Sequence, residues 1–222
     1  MARKTRKAKP YIVVFCEGES EQVYTDYLKR IFKDVAVIRR PKHTGLFDEA
    51  NDLYDKDPKY RDTADVTDEI WFFFDVELKD ISNWSRRLKI IKKLRKLRRN
   101  PNITIRLLMT SGCIEYWLLL HYKLVTPSIR TKAEKERIIS EIKTLEPNYK
   151  KGDKASTEKI AEKYSTAIDN ASITMNYLLR EGMPGLDDSD ERNEWLCKNC
   201  KTFSNVYEAI QYLEGLKQPK KS

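Results

Sequence analysis

Apolar positions along this chain fall into two patterns, and their order predicts the fold. Continuous apolar runs occupy residues 11–16, 35–38 and 70–74, and a mostly apolar, β-branched run interrupted by Thr104 and Arg106 occupies 103–109. Such runs suit strands buried on both faces of a parallel sheet. Between them, apolar residues recur at three- and four-residue intervals: Tyr24, Tyr27, Leu28 and Ile31; then Leu46, Ala50, Leu53 and Tyr54; then Trp84, Leu88, Ile91, Leu94 and Leu97. Each set is one face of a helix. Strands alternating with helices predict an α/β fold with a mainly parallel sheet flanked by helices. Residues 55–68 are polar, contain Pro58 and read as a loop.

The second half reads differently. Residues 116–122 are apolar nearly all round, as in a buried helix. From residue 132 the pattern is helical, with no further strand: 132–145, stopped by Pro147; one long helix over 157–179; a loop over 182–193; and a last helix over 206–216. No internal repeat is visible.

Carboxylates sit at the ends of the apolar runs. Asp75 and Glu77 follow the run at 70–74, and a spacing of two puts both on one face of a strand. Acids that close repel unless a cation sits between them or one takes a proton, so a divalent metal site is the economical reading. Glu17 follows the first run, ahead of Gly18, which permits a tight turn. Glu19 and Glu21 come next, and there a plain complement to the helix dipole explains the acidity as well as a ligand role does. Glu115 opens the buried helix; a buried carboxylate is costly unless paired or metal-bound.

Composition adds a partner class. The chain has 222 residues, 40% of them hydrophobic, which is enough for one domain with a core or one with a helical appendage. Its net charge of +9 points to a polyanion, against the plainer reading of a lysine-rich soluble surface. Within the predicted helix 81–97 and just after it, Arg86, Arg87, Lys89, Lys92, Lys93, Arg95, Lys96, Arg98 and Arg99 crowd one side. They read as a rail for a phosphate backbone, the alternative being a solvated face. No run is long enough to span a bilayer. The basic start lacks the apolar core of a signal peptide, so no membrane and a cytoplasmic location are expected. Cys197 and Cys200 form one CxxC without a second pair, too little for a structural zinc site. His43 and His121 are isolated, and a solvated or core role suits each better than ligation.

Three motifs in order, Val14-Phe15-Cys16-Glu17-Gly18-Glu19-Ser20-Glu21, Phe73-Phe74-Asp75-Val76-Glu77 and the stretch from Ser111 to Tyr122, resemble the RloB family. That family is related to AbiLii-type abortive-infection proteins within the Toprim-like group. The resemblance covers about residues 10–216 and implies a Toprim-like core over 11–130, a basic tail over 1–10 and a helical extension over 131–222 packed on the core. It implies a Mg²⁺- or Mn²⁺-dependent nuclease acting on RNA (tRNA included) or DNA in antiviral defence, beside a partner ATPase of AAA or ABC type; the residues leave open whether the chain acts as a single copy or a homo-oligomer. By position, Glu17, Glu21, Asp75 and Glu77 match the metal-binding acids, and Glu115 and Lys151 join Glu17, Asp75 and Glu77 in the catalytic set. Ser111 and Lys150 match secondary positions. The chain departs from the family in having Asp-x-Glu for Asp-x-Asp, and Gly112-Cys113 where Asn-Pro is usual. The competing expectation is a non-catalytic nucleic-acid-binding or regulatory subunit of an ATPase complex.

Overall fold

A computed structural model describes residues 9–98, 100–199 and 201–218. Arg99 of the basic helix, Cys200 of the CxxC, residues 1–8 of the basic tail and the lysines at 220 and 221 lie outside the described residues. Four strands, β1 (Tyr11–Cys16), β2 (Val37–Arg39), β3 (Glu69–Val76) and β4 (Thr104–Ser111), form one sheet in the order β2-β1-β3-β4. All three pairings are parallel, so the α/β expectation holds.

The aromatic run explains why β3 is central. Residues 70–74 are at most 1% exposed, and alternation sends their side chains to opposite faces. On one face Phe72 stacks between Phe15 and Phe47, the latter from α2 (Phe47–Lys56). On the other, Phe73 meets Tyr24 of α1 (Glu19–Ile31) edge-on, and Trp71 meets Tyr212 far along the chain. A strand clothed on both sides reads as an unbroken apolar run. From β1 the chain first steps outward to β2 and then returns past β1 to β3. The boundary between β1 and β3 is therefore a topological switch point, where a crevice opens at the carboxyl ends of the strands.

The structure corrects several expectations. The polar stretch 55–68 contains a short helix, α3 (Pro58–Arg61), and a 3-10 turn (Ala64–Val66). Pro58 does not break this helix but starts it, because a proline at the first position removes an N–H that has no intrahelical partner. The basic helix begins as a 3-10 turn (Leu78–Asn83) before α4 (Trp84–Arg95). Following β4 come α5 (Ile114–Leu120) and α6 (Lys132–Leu145). The single long helix expected over 157–179 is two, α7 (Lys154–Ala161) and α8 (Tyr164–Arg180). The expected loop over 182–193 gives way to α9 (Asp190–Asn199), before α10 (Val206–Lys217). Helix α9 has little apolar pattern. It is held by Arg192, fully buried, whose guanidinium reaches Glu208 Oε1 at 2.7 Å and Asp188 at 3.3 Å. The segment before α10 also adds an antiparallel bridge, Thr110 to Ser204, where the pattern predicts no further extended pairing.

The helices after residue 131 share one hydrophobic cluster with the sheet; Ile142, Ile160, Ala171 and Leu213 belong to it with Phe73 and Trp117. This joint core places the loop between α6 and α7 over the carboxyl ends of β1 and β3.

Candidate functional site: a carboxylate cluster at the switch point

The crevice is built from four acids and one lysine. Glu17 follows β1 directly; its amide donates to Phe73 O at 3.0 Å, and its Oε2 accepts from the Asp75 amide at 2.9 Å. One carboxylate thus ties the tips of two adjacent strands. Gly18 is extended at φ −138°, so its value lies in space and not in torsional freedom: a Cβ there would stand 2.9 Å from Glu21 Oε2. That close approach lays the buried Glu21 carboxylate over the turn.

Glu115, in the first turn of α5, is fully buried. Its Oε1 accepts from Tyr149 Oη at 3.1 Å and faces Lys151 Nζ at 3.6 Å. Both partners come from the loop between α6 and α7, which is anchored where Gly152, at φ +74°, donates its amide to Ser20 Oγ at 3.1 Å. Two buried oxygens, Asp75 Oδ1 and Glu115 Oε2, have no hydrogen-bond partner among the described residues. Orphaned buried acceptors cost of order 1–3 kcal/mol each, more when charged.

Electrostatics follow from this crowding. Burial, then the charges of Glu21, Glu17 and Glu115, raise the Asp75 pKa well above the carboxylate range, with Lys151 opposing. Burial pushes Glu21 up to about 7, with Glu17 and Glu115 adding to the effect. Burial works against the charge on Lys151, but Glu115, Asp75 and Glu21 outweigh it and raise its pKa. A single lysine leaves the four acids under-neutralised.

The donors are all carboxylate oxygens, the set that Mg²⁺ and Mn²⁺ prefer, and the two orphaned acceptors are what a bound cation would satisfy. Among the described residues, no three His, Cys, Asp or Glu side chains are already arranged to hold a metal ion. The donor chemistry fits; the side chains would have to converge on the ion.

Other expected site residues lie elsewhere. Glu77 is not among the leading charges that shift Asp75. It leaves the strand and pairs with Lys79, at 2.6 Å, and with Lys135 of α6. Burial opposes its charge, yet these two lysines hold its pKa below the ordinary carboxylate value. The i, i+2 rule fails here because β3 ends at Val76, one residue before Glu77. Ser111 is a structural bolt: its hydroxyl donates to Lys201 O at 2.6 Å and accepts from the Phe203 amide at 2.9 Å. Lys150 is exposed, with its amide directed to Ser156 Oγ at 3.4 Å. His121 is buried, 3.0 Å from Tyr24 Oη, and burial drives its pKa down to about 3, so it stays neutral. His43 is exposed. Cys197 is buried against Met109, 3.6 Å from sulfur to sulfur.

The basic helix is largely spoken for. Arg86 pairs with Asp48, Arg87 with Asp80, Lys93 with Asp55, Arg95 with Asp190 and Arg98 with Asp68. Lys92 and Lys96, with Lys89, remain exposed and carry no ion pair among the described residues. Charge density along one helix does not show which acids the fold will bring against it.

Tyr149 is the site residue that residue patterns do not single out. Its only signal is position, directly before Lys150-Lys151-Gly152 in a turn between helices.

A family model described as RloB-like protein matches residues 12–213. Comparison with curated proteins gives no match.

Proposed function

We propose that this chain, which belongs to the RloB-like family, is a divalent-metal-dependent nuclease of prokaryotic antiviral defence, working in the cytoplasm beside a partner ATPase. One observation carries the reading: Asp75 and Glu115 bury oxygens without partners inside a four-carboxylate cluster at the switch point of a parallel sheet. Glu17, Glu21 and Asp75 would hold the ion, with Glu115 alongside. When bound, Mg²⁺ or Mn²⁺ supplies charge at the phosphate and a more acidic water.

The chain's own residues have separable tasks. Glu17, through the Asp75 amide, fixes the spacing of the two strand tips. Tyr149 orients Glu115 by donating to its Oε1. Lys151 is more than half exposed at its side chain and faces the acids, so it is placed to meet a phosphate oxygen and offset charge developing there. No helix among the described residues is long and apolar enough to cross a membrane.

A second reading is favoured by the absence of three converged ligands among the described residues: a non-catalytic binding or regulatory subunit of an ATPase complex. Incubating the pure protein with labelled tRNA, other RNA and DNA, in Mg²⁺, Mn²⁺ or EDTA, separates the two. Cleavage that requires metal and is lost in Asp75→Asn supports the nuclease. Binding without cleavage under every metal condition, with or without the ATPase, supports the second reading.

A further inference from the structure

Beside the acid crevice lies a second concavity of opposite character. A pocket of about 200 Å³ opens at the carboxyl ends of β3 and β4, lined among others by Glu77, Lys79, Arg130, Lys135 and Lys201. The lining holds four basic residues and one acidic one. Lys79 and Lys135 both draw on Glu77, and Lys201 reaches outward to Glu181 at 2.8 Å. One carboxylate shared by two ammonium groups cannot neutralise both, so Glu77 leaves positive charge on the Lys79 and Lys135 pair. A phosphate would compete with Glu77 for the two ammonium groups: the Lys79 side chain is 64% exposed, and that of Lys135 is 26% exposed.

The walls explain why the pocket persists. Gly112 adopts φ +72°, and a Cβ there would come within 2.5 Å of the Ile129 carbonyl oxygen, so strand β4 and the 129–130 segment meet at a distance only glycine allows. Ser111 bolts the opposite wall through Lys201 O and the Phe203 amide. Three separate parts of the chain therefore present cations to one opening. Asp75 and Val76 are consecutive on β3, and Val76 lines the pocket while Asp75 belongs to the crevice. A strand of nucleic acid crossing the sheet edge would meet both.

We infer that this pocket binds a backbone phosphate of a nucleic-acid strand, beside the phosphate that would lie over the acid crevice, with Lys79 and Lys135 as its contacts and Glu77 as the counter-charge that the phosphate displaces, not a metal ligand. This deepens the nuclease reading and rests on it for the identity of the substrate. The expected interaction is electrostatic and indifferent to base sequence.

The test is binding in EDTA, where no cleavage occurs, so that it stands apart from catalysis. Fluorescence anisotropy of a labelled single-stranded oligonucleotide, as RNA and as DNA, is measured between 50 and 300 mM salt with the full chain. In Lys79→Gln/Lys135→Gln, the Kd should rise at least tenfold, and the salt slope should shrink by roughly 0.7 for each phosphate that the protein no longer neutralises. Glu77→Gln, which leaves both lysines in place, should bind as tightly as the native chain or more tightly. Thermal melts check that each variant is folded. Unchanged Kd and slope in the folded double variant overturn the inference, as does Glu77→Gln binding much more weakly. Displacement of the oligonucleotide by inorganic phosphate or ATP at equal phosphate concentration would reassign the pocket to a free phosphate compound and overturn it likewise. Tight binding in EDTA without any metal-dependent cleavage would sink the nuclease reading and leave the pocket standing.

Discussion

Asp75 and Glu77 are two residues apart and meet opposite fates. Asp75 turns into a crevice with Glu17, Glu21 and Glu115 and shares Lys151 with them. Glu77 turns away into a pocket where two lysines share it. The first region has too much negative charge for its cations, the second too much positive charge for its carboxylate. The fold thus sets an acidic site beside a basic one along a single sheet edge. Charge of both signs at a short distance suits a phosphodiester, whose bridging phosphate and flanking phosphates make different demands. A motif's spacing says less than where its strand stops.

The acid side should give the strongest response to substitution. In Asp75→Asn, metal-dependent cleavage should fall by orders of magnitude, because the carboxylate at the centre of the cluster is lost. The metal-free protein should melt higher, by a stabilisation on the order of 1 kcal/mol, since folding no longer has to protonate a buried carboxylate or hold its charge against its neighbours. Cleavage kinetics and thermal melts in EDTA check both halves.

Next in size is Tyr149→Phe, which removes the hydroxyl donated to Glu115. Glu115 Oε1 is then left with Lys151 at 3.6 Å as its partner and without its hydrogen bond from Tyr149, while Oε2 is already orphaned. Stability should drop by roughly 1–2 kcal/mol, the cost of an unmade bond to a charged group, and cleavage should fall by less than in Asp75→Asn. A denaturant melt reads the first and single-turnover rates the second.

Smaller again is the pH dependence of the metal-free protein. Glu21 has a folded-state pKa of about 7 against an ordinary 4.5, and Asp75 is raised in the same direction. The folded state therefore holds protons that the unfolded chain has released. The contribution to stability is present in full below about pH 4.5 and is lost as the pH rises through about 7. Melting in EDTA from pH 5 to 8 should show this decline, and Asp75→Asn should flatten it.

The weakest response belongs to the basic helix. Lys92→Glu/Lys96→Glu removes exposed cations that carry no ion pair among the described residues, so it should weaken oligonucleotide binding only a few-fold. Loss of binding equal to that of Lys79→Gln/Lys135→Gln would shift the polyanion surface from the pocket to α4.

Much of this architecture is legible in the residues. Runs such as residues 70–74 have no other good use than a strand buried on both faces, so the parallel sheet and its aromatic centre follow from pattern. Glu17 and Asp75 can be placed because each is tied to the end of such a run. Glu77 cannot, since it caps the 3-10 turn that follows β3 together with Asp80, and its carboxylate is drawn to Lys135, far away in sequence. The basic helix misleads for the same reason: its partners Asp48, Asp55, Asp68 and Asp190 are scattered along the chain. Helix α9 has little visible pattern because its buried face is half polar, Arg192 and Asn193 beside Leu196 and Cys197.

If the Asp75 cluster is a cation site, the metal-free protein should respond to metal without any substrate. Titrating Mn²⁺ into it at pH 8 while following the melting temperature reads that response. A ligand that binds only the folded state stabilises by RT ln(1 + [L]/Kd), about 2.7 kcal/mol at a hundredfold excess over Kd. For a chain of 222 residues the expected rise is roughly 5–10 °C in the native protein, much reduced in Asp75→Asn and retained in Glu77→Gln. A native protein whose melting temperature does not respond to Mn²⁺ would rule the cation site out, as would a response abolished by Glu77→Gln and untouched by Asp75→Asn.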